Sequence, residues 1–159
     1  MSLYKPVHAR FERFCKARVY GEMDFKDLMQ ETIVVAFEKF DSLKNPDAFL
    51  HFLFGISIRL LSNSTKKMRE ASLPVDYESI YFSGSEVEKQ LEVEDLYKAM
   101  GMLPEHQKEA LILFEIVGFS IREIAALQET SEDAVKKRLS RGRQDLVKLL
   151  AEQSVIQNV

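Results

Sequence analysis

Four polar side chains near the C-terminus recur at helical spacing. Lys137, Arg141, Gln144 and Lys148 stand at i, i+4, i+7 and i+11, which at about 100° per residue places them on one face of a helix. Val135, Leu139, Gly142, Leu146 and Leu149 fall on the opposite face. Lys136 and Arg143 flank the cationic row on one side and Arg138 on the other, and Asp145 is the only acid between Ala134 and Lys148. A solvated surface helix usually mixes both signs of charge. A cationic front on an apolar back instead suits docking on phosphates and on base edges in the major groove of a duplex.

The residues before this helix supply what such a face needs. Gly118 can end a preceding helix, and Ser120 with Glu123 forms an S-x-x-E capping box. Ile121, Ile124 and Ala125 give the short helix that follows a buried stripe, and small Ala125 and Ala126 allow a neighbouring helix to approach. After Leu127 come three connecting residues, Gln128, Glu129 and Thr130, and then Ser131 as a cap. Two helices joined by so short a turn make the DNA-binding helix-turn-helix, whose second helix enters the major groove. Its N-terminal part meets the bases, so Lys137 and Arg141 are the expected base contacts. Arg138, Arg143 and Lys148 are the expected phosphate anchors, and Lys136 and Gln144 complete the face. Thr130 and Ser131 sit where a helix N-terminus can hold a phosphate.

The stretch LPEHQKEALILFEIVGFSIREIAALQETSEDAVKKRLSRGRQDL resembles the C-terminal, −35-element-binding domain of extracytoplasmic-function (ECF) sigma factors of RNA polymerase. The resemblance rests on Leu103-Pro104, the Glu123-Ile124-Ala125 triplet, and Val135-Lys136 followed by Arg138-Leu139-Ser140-Arg141. Glu129 stands where the family usually has a turn glycine, and Ala134 where it usually has threonine.

A second resemblance lies in the N-terminal half. DFKDLMQETIVVAFEKF is similar to the family's polymerase-binding helix, with Asp27, Leu28, Gln30, Glu31 and Thr32 matching position by position. That match implies docking on the clamp helices of the polymerase largest subunit. The helical wheel adds a point of its own. Met29, Ile33, Phe37 and Phe40 form one apolar face, whereas Leu28 and Val35 lie nearly opposite, beside Glu31 and Thr32. A second apolar strip among polar groups suits either a protein interface or a contact with the first helix. With the resemblance, the interface is the expectation, and truncating Leu28 and Gln30 together is expected to leave the fold intact.

The third helix resembles the family's promoter-melting segment. Arg59, Asn63, Lys66 and Lys67 share a face at i, i+4, i+7 and i+8, able to track a phosphate backbone and hydrogen-bond an unstacked base. The family usually carries Asn and Asp where this chain has Arg59 and Asn63. Phe49, Phe52 and Phe54 at helical spacing read mostly as core.

These elements sit in a chain of 159 residues, 46% apolar and 30% charged, with 6 glycines and 4 prolines. Strand-like alternation is missing, so the expected fold is all-α: two small helical domains joined by a linker. Residues 1–70 form an N-terminal three- to four-helix bundle for polymerase binding and −10 melting, with helices near 6–19, 24–40 and 46–69. Residues 71–90, holding Pro74, Gly84 and a surplus of acid, read as an acidic linker. Residues 91–159 form a four-helix domain carrying the helix-turn-helix, with helices near 87–101, 105–117, 120–127 and 131–150.

The net charge of −3 requires that any DNA-binding charge be local. Cys15 is the single cysteine, which points to a reducing compartment and to a small buried side chain. No stretch has signal-peptide or membrane-spanning character, so a cytoplasmic chain without membrane insertion is expected. His8, His51 and His106 have no metal-ligand spacing and no phosphate-binding glycine loop occurs, so neither a cofactor nor an enzyme is expected. The resemblance implies core RNA polymerase and promoter DNA as partners, leaves an anti-sigma factor open, and implies a monomer when free. Two alternatives stand beside it: a dimeric stand-alone helix-turn-helix regulator, and an interaction protein that mimics a sigma domain. If Lys137 and Arg141 read bases, neutralising either is expected to weaken −35 duplex binding by about 1–3 kcal/mol, measured by titration of a labelled promoter fragment.

Overall fold

Local sequence signals start and stop the helices. Asp24 caps the second helix by accepting from the Lys26 amide at 2.9 Å, and Asn45 caps the third in the same way from Asp47 at 3.1 Å. Pro46 follows in a single 3-10 turn before the helix proper begins. The computed structural model describes the backbone of residues 3–71 and 87–157, and the side chains of 3–63 and 93–153. Its α-helices are α1 (His8–Arg18), α2 (Phe25–Glu38), α3 (Phe49–Ala71), α4 (Val87–Gly101), α5 (Glu105–Leu111), α6 (Ile121–Leu127) and α7 (Glu132–Gln157). A wider π-helical stretch, Ile112–Val117, continues α5 and ends at Gly118, whose φ of 90° is the left-handed conformation glycine tolerates. Among the described residues there is no strand. Of the expected linker, Ala71 closes α3 and residues from Val87 onward open α4; 72–86 lie outside the described residues.

The N-terminal half packs α1 against α2 and α2 against α3. Its centre is a ring cluster: Phe54 lies 5.6 Å from Phe11 and 5.0 Å from Phe14, centroid to centroid. Cys15 is buried beside them, and burial pushes its thiol pKa well above the ordinary range. In the C-terminal half, α7 packs on α4, α5 and α6.

The halves themselves are joined. Phe54 of α3 meets Phe119 edge-on at 5.0 Å, and α1 packs along the π-helical stretch. Arg10 of α1 donates to the Val117 carbonyl at 3.1 Å and covers the Phe119 ring at 5.2 Å, a cation placed at the negative end of a helix. A buried ionic cluster closes the same seam. Arg18, 3% exposed, pairs with Glu105 at 2.6 Å and donates from Nε to Glu109 at 3.2 Å. Lys108, 1% exposed, donates to Glu22 at 3.0 Å.

The faces of α2 divide differently from the expectation: Met29 is buried and Ile33 half-buried, but so is the strip placed opposite them. Leu28 and Thr32 are buried, and Val35 is half-buried. Phe37 and Phe40, on the expected apolar face, are 65% and 48% exposed. The inner face of α2 is Leu28, Met29, Thr32 and Ala36, beside a centre already holding the rings of Phe11, Phe14 and Phe54. Thr32 can join them because its hydroxyl donates to the Leu28 carbonyl at 2.7 Å within the helix. Leu28 therefore holds the fold, and Leu28→Ala is expected to cost about 2–5 kcal/mol of stability. Gln30→Ala, at an exposed position, should stay within about 0.5 kcal/mol. Urea unfolding midpoints of the two variants check this.

Candidate nucleic-acid interface

The helix-turn-helix is built from α6 and α7. Ser120 Oγ accepts from the Glu123 amide and Glu123 Oε1 accepts from the Ser120 amide, both at 3.1 Å, so the capping box forms as expected. Ile124 and Ala125 are buried, whereas Ala126 faces solvent, so only Ala125 allows close approach. The turn after α6 is a Schellman motif: the Thr130 amide bonds the Ala125 carbonyl at 2.9 Å and the Glu129 amide approaches that of Ala126 at 3.3 Å. Glu129 occupies its left-handed position at φ 53°. That conformation costs a side-chain-bearing residue about 1–2 kcal/mol, and it is where a glycine would relieve the backbone. Ser131 Oγ accepts from the Ala134 amide at 3.1 Å and caps α7, leaving its hydroxyl hydrogen to donate. Thr130 is half-buried beside it.

The amphipathic reading of α7 holds. Val135 and Leu139 are buried, and so is Gly142. A Cβ on Gly142 would stand 2.9 Å from Leu111 Cδ1, so its absence lets α7 cross closely over α5. On the other side Lys136, Lys137, Arg141, Gln144 and Lys148 are all exposed. The expected phosphate anchors Arg138 and Arg143 have partners within the protein. Arg138 is half-buried and donates to Gln128 Oε1 at 2.8 Å. Arg143 pairs with Glu115 at 2.7 Å and lies 5.4 Å over the Phe114 ring. Arg138 is thus seated within the domain, whereas Arg143 stays exposed in a surface pair.

The N-terminal residues divide similarly. Arg59 and Asn63 are exposed on α3; the side chains of Lys66 and Lys67 lie outside the described residues. Phe49 and Phe54 are buried and Phe52 half-buried, as core. On α2, Asp27, Gln30 and Glu31 are exposed, together with Val34. With Leu28 and Thr32 inside, the outward surface of this helix is Asp27, Gln30, Glu31 and Val34. Beside it Phe37, Phe40 and Phe49 line a groove of about 430 Å³ with Tyr4 and Asp41.

Sequence reasoning missed the residues that join the halves: Arg18, Glu22, Glu105, Lys108, Glu109, and the pair His51–Glu123. His51 Nε2 stands 2.6 Å from Glu123 Oε2, and its ring stacks on Phe119 at 5.2 Å. Glu123 thus caps α6 with one oxygen and reaches α3 with the other.

A sequence family described as "Sigma-70, region 4" matches residues 94–146, from α4 to the middle of α7. The "ECF RNA polymerase sigma factor EcfG" of Rhodopseudomonas palustris is 32% identical over 126 residues, covering 78% of this chain and 70% of that protein. This chain belongs to the ECF RNA polymerase sigma factors. The sigma factor SigV of Bacillus subtilis is 27% identical to it over 131 residues, covering 82% of this chain and 78% of that one. The solved structure of the sigma factor RpoE in complex with the anti-sigma factor NepR from Bartonella quintana superposes with a TM-score of 0.78 at 27% identity, covering 93% of this chain and 94% of that chain. As a sigma factor, the protein directs RNA polymerase to promoters, and the stand-alone regulator is set aside. Sigma factors are not classical enzymes. Among the described residues no helix of this sigma factor is long and apolar enough to cross a membrane.

The Glu123 carboxyl is held below the ordinary glutamate range, chiefly by the Ser120 amide it accepts, with the His51 hydrogen bond adding and partial burial opposing. A carboxylate with a lowered folded pKa contributes stability that is fully present above its unfolded value, about 4.3. That contribution is lost as pH falls through the lower folded value. Melting temperature should therefore drop on acidification below about pH 4.3, and Glu123→Gln should show a smaller drop over the same window.

Proposed function

We propose that the two halves of this sigma factor divide promoter recognition between them. Residues 91–159 bind the −35 duplex through α7, residues 1–70 dock on core polymerase and capture the separated −10 strand, and the acidic segment 71–90 joins them. The observation that carries this reading is the exposed row Lys136, Lys137, Arg141, Gln144 and Lys148, set opposite buried Val135, Leu139 and Gly142. Its cations supply phosphate affinity, and its N-terminal members, Lys137 and Arg141, reach base edges. Thr130 and Ser131 add a helix N-terminus for one phosphate.

Polymerase docking falls to the outward face of α2: Asp27, Gln30, Glu31 and Val34, with Leu28, Thr32 and Val35 setting the helix from within. The clamp helices of the polymerase largest subunit are the surface it fits by family resemblance. Arg59 and Asn63, exposed on α3, track the −10 strand together with Lys66 and Lys67. The protein acts in the cytoplasm as a monomer and is open to an anti-sigma factor, as its Bartonella relative is bound by NepR.

Run-off transcription with purified core polymerase tests the assignment. Wild-type chain should direct initiation at a defined set of promoters. Gln30→Ala with Glu31→Ala should lose core polymerase in pull-down while keeping wild-type melting. Normal pull-down by that double variant removes α2 from the interface, and core polymerase that stays promoter-blind with the wild-type chain refutes the function.

A further inference from the structure

We propose that Arg138 is a positioning residue of the DNA-reading element, held by Gln128, and that it does not contact DNA. The proposal rests on the −35 reading above and deepens it.

Gln128 stands at the C-terminal cap of α6, where the two helices of the motif join. Its side-chain amide is engaged at both ends. Nε2 donates to Glu109 Oε1 at 3.0 Å and to the His106 carbonyl at 3.2 Å, while Oε1 accepts from Arg138 Nη1 at 2.8 Å. One side chain therefore ties α5, the turn and α7 together. The anchor beneath it is firm: Glu109 is 4% exposed, and its other oxygen takes the Arg18 Nε at 3.2 Å. A buried carboxylate bonded on both oxygens has a fixed place, so the chain Glu109–Gln128–Arg138 fixes the pitch of α7 on the domain.

The turn needs such a tie. Its left-handed residue is Glu129 rather than glycine, so the backbone there is under strain, and the angle between α6 and α7 gains from a side-chain brace. Arg138 suits the role because a planar guanidinium holds direction, where a lysine ammonium would not. Its neighbours on the outer row differ. Among the described residues Lys136, Lys137, Arg141 and Lys148 make no ion pair within the protein and face solvent. Arg138 is instead half-buried and seated on an internal acceptor.

Salt dependence separates the two roles, because each protein cation that neutralises a phosphate contributes about 0.9 to the slope of log K against log [salt]. The experiment uses holoenzymes reconstituted from core polymerase and either wild-type or variant chain, binding a genomic promoter fragment selected by the wild-type holoenzyme. Differences in slope then cancel the polymerase's own contacts. Lys148→Gln should flatten the slope by about 0.9. Arg138→Gln should leave the slope at the wild-type value while its preference for the selected −35 sequence over single-base mismatches falls toward unity. A flattening of about 0.9 with Arg138→Gln would show a phosphate contact and overturn the proposal. Should Arg138→Gln fail to fold, Gln128→Met poses the question from the other side, since it keeps the bulk and removes both polar ends. Loss of mismatch discrimination in Gln128→Met supports the brace, and unchanged discrimination overturns it. A wild-type holoenzyme that selects no promoter at all sinks the −35 reading itself, a result distinct from a flattened slope in a working holoenzyme.

Discussion

The close crossing of α7 over α5 governs what this protein can present to DNA. At that crossing Gly142 leaves room for Leu111, and a single methyl group would meet the leucine at 2.9 Å. Val135 and Leu139 continue the seat toward the start of the helix. Because 3.6 residues make a turn, burying these positions forces Lys137, Arg141, Gln144 and Lys148 to the other side. The cationic row is thus a consequence of apolar packing. Its charge can diverge from the acidic balance of the whole chain because it occupies one helix face only.

Packing also explains which parts of the fold were legible in the sequence. The capping box at Ser120 and Glu123 and the cap at Asp24 rest on contacts within a few residues, the stripe on α7 on a period within one helix, and all are present in the structure. Glu129 was legible as a departure from glycine, and its φ of 53° shows what that departure entails. The face of α2 was not legible. A helical wheel ranks side chains by hydrophobicity and is blind to where the neighbouring helices lie, so it could not show that Leu28 and Thr32 go inside while Phe37 and Phe40 stay exposed. The internal partners of Arg138 and Arg143 were hidden for a related reason. Their acceptors, Gln128 and Glu115, lie 10 and 28 residues away, beyond the reach of a pattern drawn on one helix.

The contacts between halves were the least legible of all. Arg18 and Glu109 are 91 residues apart, and nothing in the local sequence of either distinguishes it from an ordinary surface charge. Even so, Glu105, Lys108 and Glu109 sit within one turn and a half of α5 facing the opposite half, with Arg18 and Glu22 one turn apart in reply. Pairs at i and i+4 usually read as solvated helix decoration, and here they form the seam.

That seam has an unusual character for the inside of a protein. An interface sealed only by leucine and phenylalanine would expose grease when parted, inviting aggregation. Here much of the joint consists of two cations and three carboxylates, and water can rehydrate each of them. Buried ion pairs add little net attraction once their dehydration is counted. The ionic part of the joint is therefore specific in its register and can take up water if it opens, while the Phe54–Phe119 contact beside it is the part that resists opening.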